Sequence, residues 1–170
     1  VLVRSPYTRV VSMFCNKYCG GNGHNLLSSK INLKTCTFEN FVNFLNILNQ
    51  ENKLNDFDIH VKKQSYNFNF TKLTHIAKIE NFKEDIIKFY RNNKKLRKLL
   101  PEVRSFLNEN DVFKNETKRN ETNCEAFKKI YSVNDKIFPY WKLFYNEKLR
   151  NLVYNIYKED FIKFNYSKLI

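Results

Sequence analysis

Glycine and proline are scarce, three of each in 170 residues, which excludes collagen-like, glycine-rich and proline-rich chains. All three glycines fall in one stretch, Cys19-Gly20-Gly21-Asn22-Gly23-His24. It reads as a loop, and without a following Lys-Ser/Thr pair or an immediate helical pattern it does not meet the spacing of a P-loop. Long apolar runs are missing as well. The best, Phe41 to Leu48, is short and broken by asparagine, far from the ~20 apolar residues of a membrane span. Acidic residues are few: 17 Asp and Glu stand against 30 Lys and Arg, a formal charge of +13.

What is present is enough to fold. Hydrophobic residues make up 42% and aromatics 16%, so a wholly disordered chain is excluded despite the charge. The length suits one domain over residues 1–170. The basic residues are spread along the chain, with one dense run, Arg91-Asn92-Asn93-Lys94-Lys95-Leu96-Arg97-Lys98. Such a balance fits nucleic acid, anionic membranes, anionic glycans or a nucleotide, and equally a solvated lysine surface. The opening residues lack a signal-peptide pattern. A start at Val1, inside an apolar run, is what a fragment with an upstream anchor or signal would give.

Four cysteines, Cys15, Cys19, Cys36 and Cys124, allow three fully paired connectivities. Cys15 and Cys19 with His24 nearby raise zinc, but no second compact ligand pair follows. Plain thiols or disulfides are the alternative. Sequons stand at Asn69, Asn115, Asn120 and Asn165, a number that an asparagine-rich chain also reaches by chance.

Periodicity gives the elements. Val1-Leu2-Val3 has the character of a buried parallel strand. Ser5 then stands as N-cap and Pro6 as first helical residue. Tyr7, Val10, Val11, Phe14 and Tyr18 share one helical face; Ser5, Thr8, Arg9 and Ser12 share the other. A second helix starts near Thr37, with Phe38, Phe41, Val42, Leu45 and Leu48 inward, and fades at Asn49–Asn52. Residues 60–70 are irregular and aromatic. Thr74 to Glu80 reads as a strand. Asn81 caps a helix with Phe82, Ile86, Phe89 and Tyr90 on its apolar face and Glu84 and Asp85 in its first turn. Pro101 marks a break, and 108–122 is polar. One long helix from about Tyr145 to Phe161 closes the chain, with Leu149, Leu152, Val153, Ile156 and Tyr157 inward.

A strand ending in arginine and followed at once by a capped helix is a competent anion site. The N–H groups of the helix start and its dipole favour negative charge. Arg4 would add a charge-assisted fork to phosphate oxygens and Ser12 a hydroxyl donor. The alternative is that Arg4 pairs with a carboxylate at a sheet edge and Ser12 is a small packing residue.

Val3-Arg4-Ser5-Pro6-Tyr7-Thr8-Arg9-Val10-Val11-Ser12-Met13-Phe14 resembles the 3′-phosphate-binding motif of the Golgi-type carbohydrate sulfotransferases, in the branch that modifies chondroitin, dermatan and HNK-1 glycans. Three further blocks are similar in order: Phe38-Glu39-Asn40-Phe41-Val42, Ile76 to Asp85, and Val153 to Ser167 with its Asp160-Phe161-x-x-Phe164-x-Tyr166-Ser167 ending. The resemblance implies an α/β, P-loop-kinase-like sulfotransferase fold, present in part, with parallel strands flanked by helices and helix-rich in this segment. It implies transfer of a sulfuryl group from 3′-phosphoadenosine-5′-phosphosulfate to a glycan hydroxyl, with Arg4 and Ser12 on the 3′-phosphate and no metal. Lys118, Arg119 and Thr122 fall near the family's second nucleotide-contacting loop; the alternative is a solvated loop. His60 and Gln64 resemble a segment facing the acceptor, although Lys63 stands where the family has proline; the alternative is an ordinary loop histidine.

Glu80 and Asp160 match recurrent family acids and read as structural, bonding backbone or basic partners. Ser5 replaces the family's usual acid and Thr8 a common glutamate. The 5′-phosphosulfate loop and the catalytic base of better-understood relatives lie upstream of the matched part, so this segment alone is expected to be inactive. The partners implied are the nucleotide donor and a glycan acceptor, with no nucleic acid and with a membrane only through an upstream anchor. The compartment implied is the luminal side of the Golgi membrane in a eukaryote, or the cytoplasm in a bacterium. Two other classes stay open. Lys62 to Phe70 interleaves lysines with aromatics and suits a basic nucleic-acid-binding module, and a non-catalytic glycan-binding relative has the same motifs.

Overall fold

The computed structural model describes residues 1–19, 37–66, 68–109, 126–129 and 138–169. The chain forms two compact units: Val1–Ser5 with Phe68–Thr117, and Pro6–Asn67 with Lys118–Ile170. The architecture is α/β, helix-rich with a small parallel strand pair.

In the first unit, β1 (Leu2–Val3) pairs in parallel with β2 (Ala77–Lys78), Leu2 opposite Ala77 and Val3 opposite Lys78. The pairing is extended by the Val1 amino group on His75 O at 2.7 Å and by Ala77 N–H on Val1 O at 2.8 Å. Both strands are shorter than their apolar runs promise. Val3 is buried at 1% exposure, but Leu2 is 48% exposed, so Val1-Leu2-Val3 is not a strand buried throughout. Beyond β2 the chain turns at once into a 3-10 turn, Ile79–Asn81, and then α4 (Phe82–Asn92); Arg97–Leu99 forms another such turn before α5 (Leu100–Glu109). Pro101 lies in the first turn of α5, where its missing N–H costs nothing.

Asn81 occupies the N-cap position of α4 but makes no side-chain cap bond, because its backbone still belongs to the 3-10 turn. Asp85, in the first turn, ties the helix back to β2, its Oδ2 accepting from Lys78 N–H at 2.7 Å. No residue of α4 is fully buried. Its apolar residues Phe82, Ile86 and Phe89 line a cleft of about 290 Å³ with Val1, Leu2 and His75.

The second unit holds the larger core. α1 (Pro6–Met13) opens on Pro6 and continues as a wider π-helical turn, Phe14–Cys19. α2 (Phe38–Gln50) starts where its sequence signal stands: Thr37 is the N-cap, its Oγ1 accepting from Asn40 N–H at 3.1 Å. The five apolar residues expected to face inward on α2 are all buried. A short α3 (Leu54–Phe57) follows. Trp141–Phe144 forms a 3-10 turn before α6 (Glu147–Ile156), which Asn146 caps through Leu149 N–H at 2.8 Å.

Edge-to-face aromatic pairs fill the centre, with Phe14–Phe38 at 5.4 Å, Phe38–Phe144 at 5.2 Å and Tyr7–Phe161 at 4.9 Å between ring centroids; each pair contributes about 1 kcal/mol beyond its burial. The buried phenols are not orphaned: Tyr7 Oη donates to Lys168 O at 2.8 Å and Tyr145 Oη to Tyr7 O at 2.9 Å.

The second unit corrects two further expectations. Thr8, placed by periodicity on the polar face of α1, is 5% exposed, because α1 is enclosed on more than one side. The single helix expected from Tyr145 to Phe161 is two, α6 and α7 (Lys158–Lys163), with Tyr157 between them at φ −108° and ψ 24°. Tyr157 still donates its N–H to Val153 O at 3.0 Å, and its hydroxyl donates to Val61 O at 2.8 Å.

Candidate functional site

Arg4 follows β1 directly and is half-buried. The parallel register that sets Val3 opposite Lys78 brings Glu80 level with Ser5, whose N–H donates to Glu80 Oε1 at 2.7 Å. Glu80 thus bonds backbone, as its family position implies. Carboxyl ends of parallel strands are where open α/β sheets take ligands, since helix starts and backbone amides collect there.

Ser12 belongs to the second unit, two turns into α1, and is half-buried. Asn16 Nδ2 donates to Ser12 Oγ at 3.1 Å. A hydroxyl can accept while keeping its own O–H to donate, so Ser12 is set up as a donor with one lone pair occupied.

One turn before Ser12, Arg9 reaches the segment that contains His60 and Gln64. Its Nη2 donates to His60 O at 2.8 Å and Lys62 O at 2.6 Å, and its guanidinium stands 5.8 Å from the Tyr157 ring centroid. Val61 O, between those carbonyls, accepts from Tyr157. The next three residues are held through their N–H groups. Lys63 donates to Asn55 Oδ1 at 3.0 Å, Gln64 to Asp160 Oδ2 and Ser65 to Asp160 Oδ1, both at 2.8 Å.

Six consecutive backbone positions are therefore fixed. Carbonyls face a cation and a phenol, while amides face a carboxamide and an anion. Asp160 is fully buried, and its charge is tolerable there because two amides solvate it in place of water. The sequence casts Asp160 as a structural acid, and its contacts are of that kind.

Burial pushes the Tyr157 phenol above its ordinary range, Arg9 opposing and Asp160 adding to the shift. Burial also pushes the Cys15 thiol up to about 12, far from the thiolate that metals and electrophiles need. Among the described residues no group of three His, Cys, Asp or Glu gathers. Lys118, Arg119 and Thr122, the glycine stretch and His24 lie outside the described residues.

The structure thus places His60 and Gln64 together on one clamped segment tied to α1, the helix of Ser12. Arg4 belongs to the other unit. Arg9 is the residue of this region that periodicity underrates. Its signal was available, since it is the one basic residue on a helix otherwise mostly buried.

These features define an α/β protein whose first parallel strand leads through an arginine into a proline-opened helix with a serine donor. The family follows from comparison: a model of the sulfotransferase family matches residues 1–167, and the chain belongs to that family. Its general chemistry is sulfuryl transfer from a donor to an acceptor. No curated protein and no solved structure matches the chain. Among the described residues no helix is long and apolar enough to cross a membrane.

Proposed function

We propose that this chain supplies the 3′-phosphate-binding part of a carbohydrate sulfotransferase that uses 3′-phosphoadenosine-5′-phosphosulfate, and that the acceptor is a glycan hydroxyl. The observation that carries the reading is Arg4 at the carboxyl end of a parallel strand, in a chain of the sulfotransferase family. A guanidinium and a hydroxyl that retains its O–H suit a phosphate monoester, the first by charge and the second by direction. The glycan acceptor rests on the similarity of the four sequence blocks to the carbohydrate branch. On the same ground the chain works on the luminal side of the Golgi membrane in a eukaryote, or in the cytoplasm of a bacterium.

Sulfuryl transfer, like phosphoryl transfer, is an in-line displacement in which positioning and charge stabilisation supply most of the catalysis. Arg4 and Ser12 act by fixing the nucleotide, so that entropy is lost on binding and not in the transition state. His60 and Gln64 stand on the acceptor side in this reading. Arg9 and Asp160 are positioning residues, because their hydrogen bonds go to the backbone that carries that pair.

Calorimetric titration with adenosine 3′,5′-bisphosphate tests the donor half. Arg4→Ala is expected to weaken binding about 10- to 100-fold and Ser12→Ala about tenfold, the range of charge-assisted hydrogen bonds. Unchanged affinity in Arg4→Ala would remove the proposed site.

A further inference from the structure

We infer that the cleft between α4 and α5 in the first unit is a binding groove for an anionic polysaccharide. Glu84, Ile87, Lys88 and Arg91 recur at steps of three and four on α4, so they share one face. Arg104 of α5 lines the same cleft, a space of about 540 Å³. Three cations and one carboxylate thus surround one concave site.

Lys88, Arg91 and Arg104 are exposed, and none forms an ion pair with a described residue. The charge continues past the helix end: residues 88–98 contain six Lys or Arg and no acid. Arg97 Nε donates to Arg91 O at 2.9 Å, which folds that basic run back onto the end of α4. The C-terminal dipole of α4 offsets part of the repulsion among these cations. Ile87 and the methylene stems of the long side chains give the groove an apolar floor against which sugar C–H faces can lie.

The lining favours a polysaccharide over a nucleic acid. None of its residues is aromatic, so bases would find no platform to stack on, the device single-strand binders use. Phe106 is 60% exposed, but it stands two positions beyond Arg104, about 200° round the helix. The ligand class is therefore a sulfated or carboxylated sugar polymer, held by its charges. This deepens the glycan reading and rests on it: the polymer gripped by the groove is the acceptor whose hydroxyl is sulfated.

Titration of the whole chain with a labelled heparin oligosaccharide, without donor, tests the groove. Lys88→Ala/Arg91→Ala/Arg104→Ala is expected to weaken binding about tenfold at about 0.1 M salt and to flatten its salt dependence. Lys142→Ala/Lys158→Ala/Lys168→Ala removes the same charge from the second unit and is expected to change binding less than about twofold. Thermal melting establishes that both triples are folded.

Equal losses in the two triples, or no binding by the unaltered chain, would overturn the proposal. So would tighter binding of a charge-matched oligo(dT) that the groove variant abolishes, which would make nucleic acid the occupant. Adenosine 3′,5′-bisphosphate titrated into the same proteins keeps the two readings apart. Retained nucleotide binding with no groove effect removes the groove alone. Absent nucleotide binding in the unaltered chain removes the proposed function, and the oligosaccharide titration is still read on its own.

Discussion

Asp160 and Ser65 are bonded to each other through Ser65 N–H, yet their side chains stand in opposite situations. Asp160 has both oxygens occupied by amides. Ser65 Oγ is buried and has no hydrogen-bond partner among the described residues. A buried hydroxyl without a partner carries a desolvation cost with no return, while a removed carboxylate leaves two amides stranded. Ser65→Ala is therefore expected to leave stability within about 1 kcal/mol of the original or to raise it, and Asp160→Ala to lower it by about 3 kcal/mol or more. Urea unfolding of the two variants checks the contrast; a larger loss in Ser65→Ala than in Asp160→Ala would contradict it.

Among the elements, α1 does two things, carrying Ser12 and holding residues 60–62 through Arg9. Arg9→Ala is expected to cost about 2 kcal/mol, two charge-assisted bonds to carbonyls that partly rehydrate. Amide hydrogen exchange should then quicken at residues 63–65 more than in α2, and Arg9→Lys should recover part of the protection. Uniform exchange across the unit would mean that Arg9 merely stabilises the whole.

How far these elements were legible depends on how local their causes are. α2 could be read almost to the residue, since Thr37 and the inward stripe act within a few turns. The strand–arginine–proline opening was legible for the same reason. The end of α6 was not. Tyr157, which follows it, is tied through its hydroxyl to Val61, 96 residues away, and no period in the sequence records that contact. Asn81 misleads for a neighbouring reason: it has the chemistry of a cap, but the preceding 3-10 turn sets its backbone otherwise. Arg9 looked like surface because its acceptors are carbonyls of a segment without periodicity.

At the scale of the molecule, alkaline pH probes the aromatic unit. Burial raises the Cys15 thiol above its ordinary 9.0, to about 12, and raises the Tyr7 phenol above 10.0, with Tyr145 and Tyr157 shifted the same way. The fold therefore keeps protons that the unfolded chain releases. This contribution is complete below 9.0 and is lost as pH climbs past 9.0 and 10.0 through about 12, where the buried groups themselves ionise. Melting temperature followed against pH should fall across that window, and Cys15→Ala should shift its onset upward. A flat profile would mean that these groups ionise within the intact fold.

The bond from Tyr7 Oη to Lys168 O spans 161 positions, and it has a consequence for birth on the ribosome. The first helix of the larger unit finds its hydroxyl acceptor only after the chain has grown as far as Lys168. Long-range closures of this kind delay folding, because loop entropy is lost before any contact is gained. During synthesis the aromatic residues of α1 and α2 wait uncovered, so newly made chain is the form that chaperones hold and proteases sample.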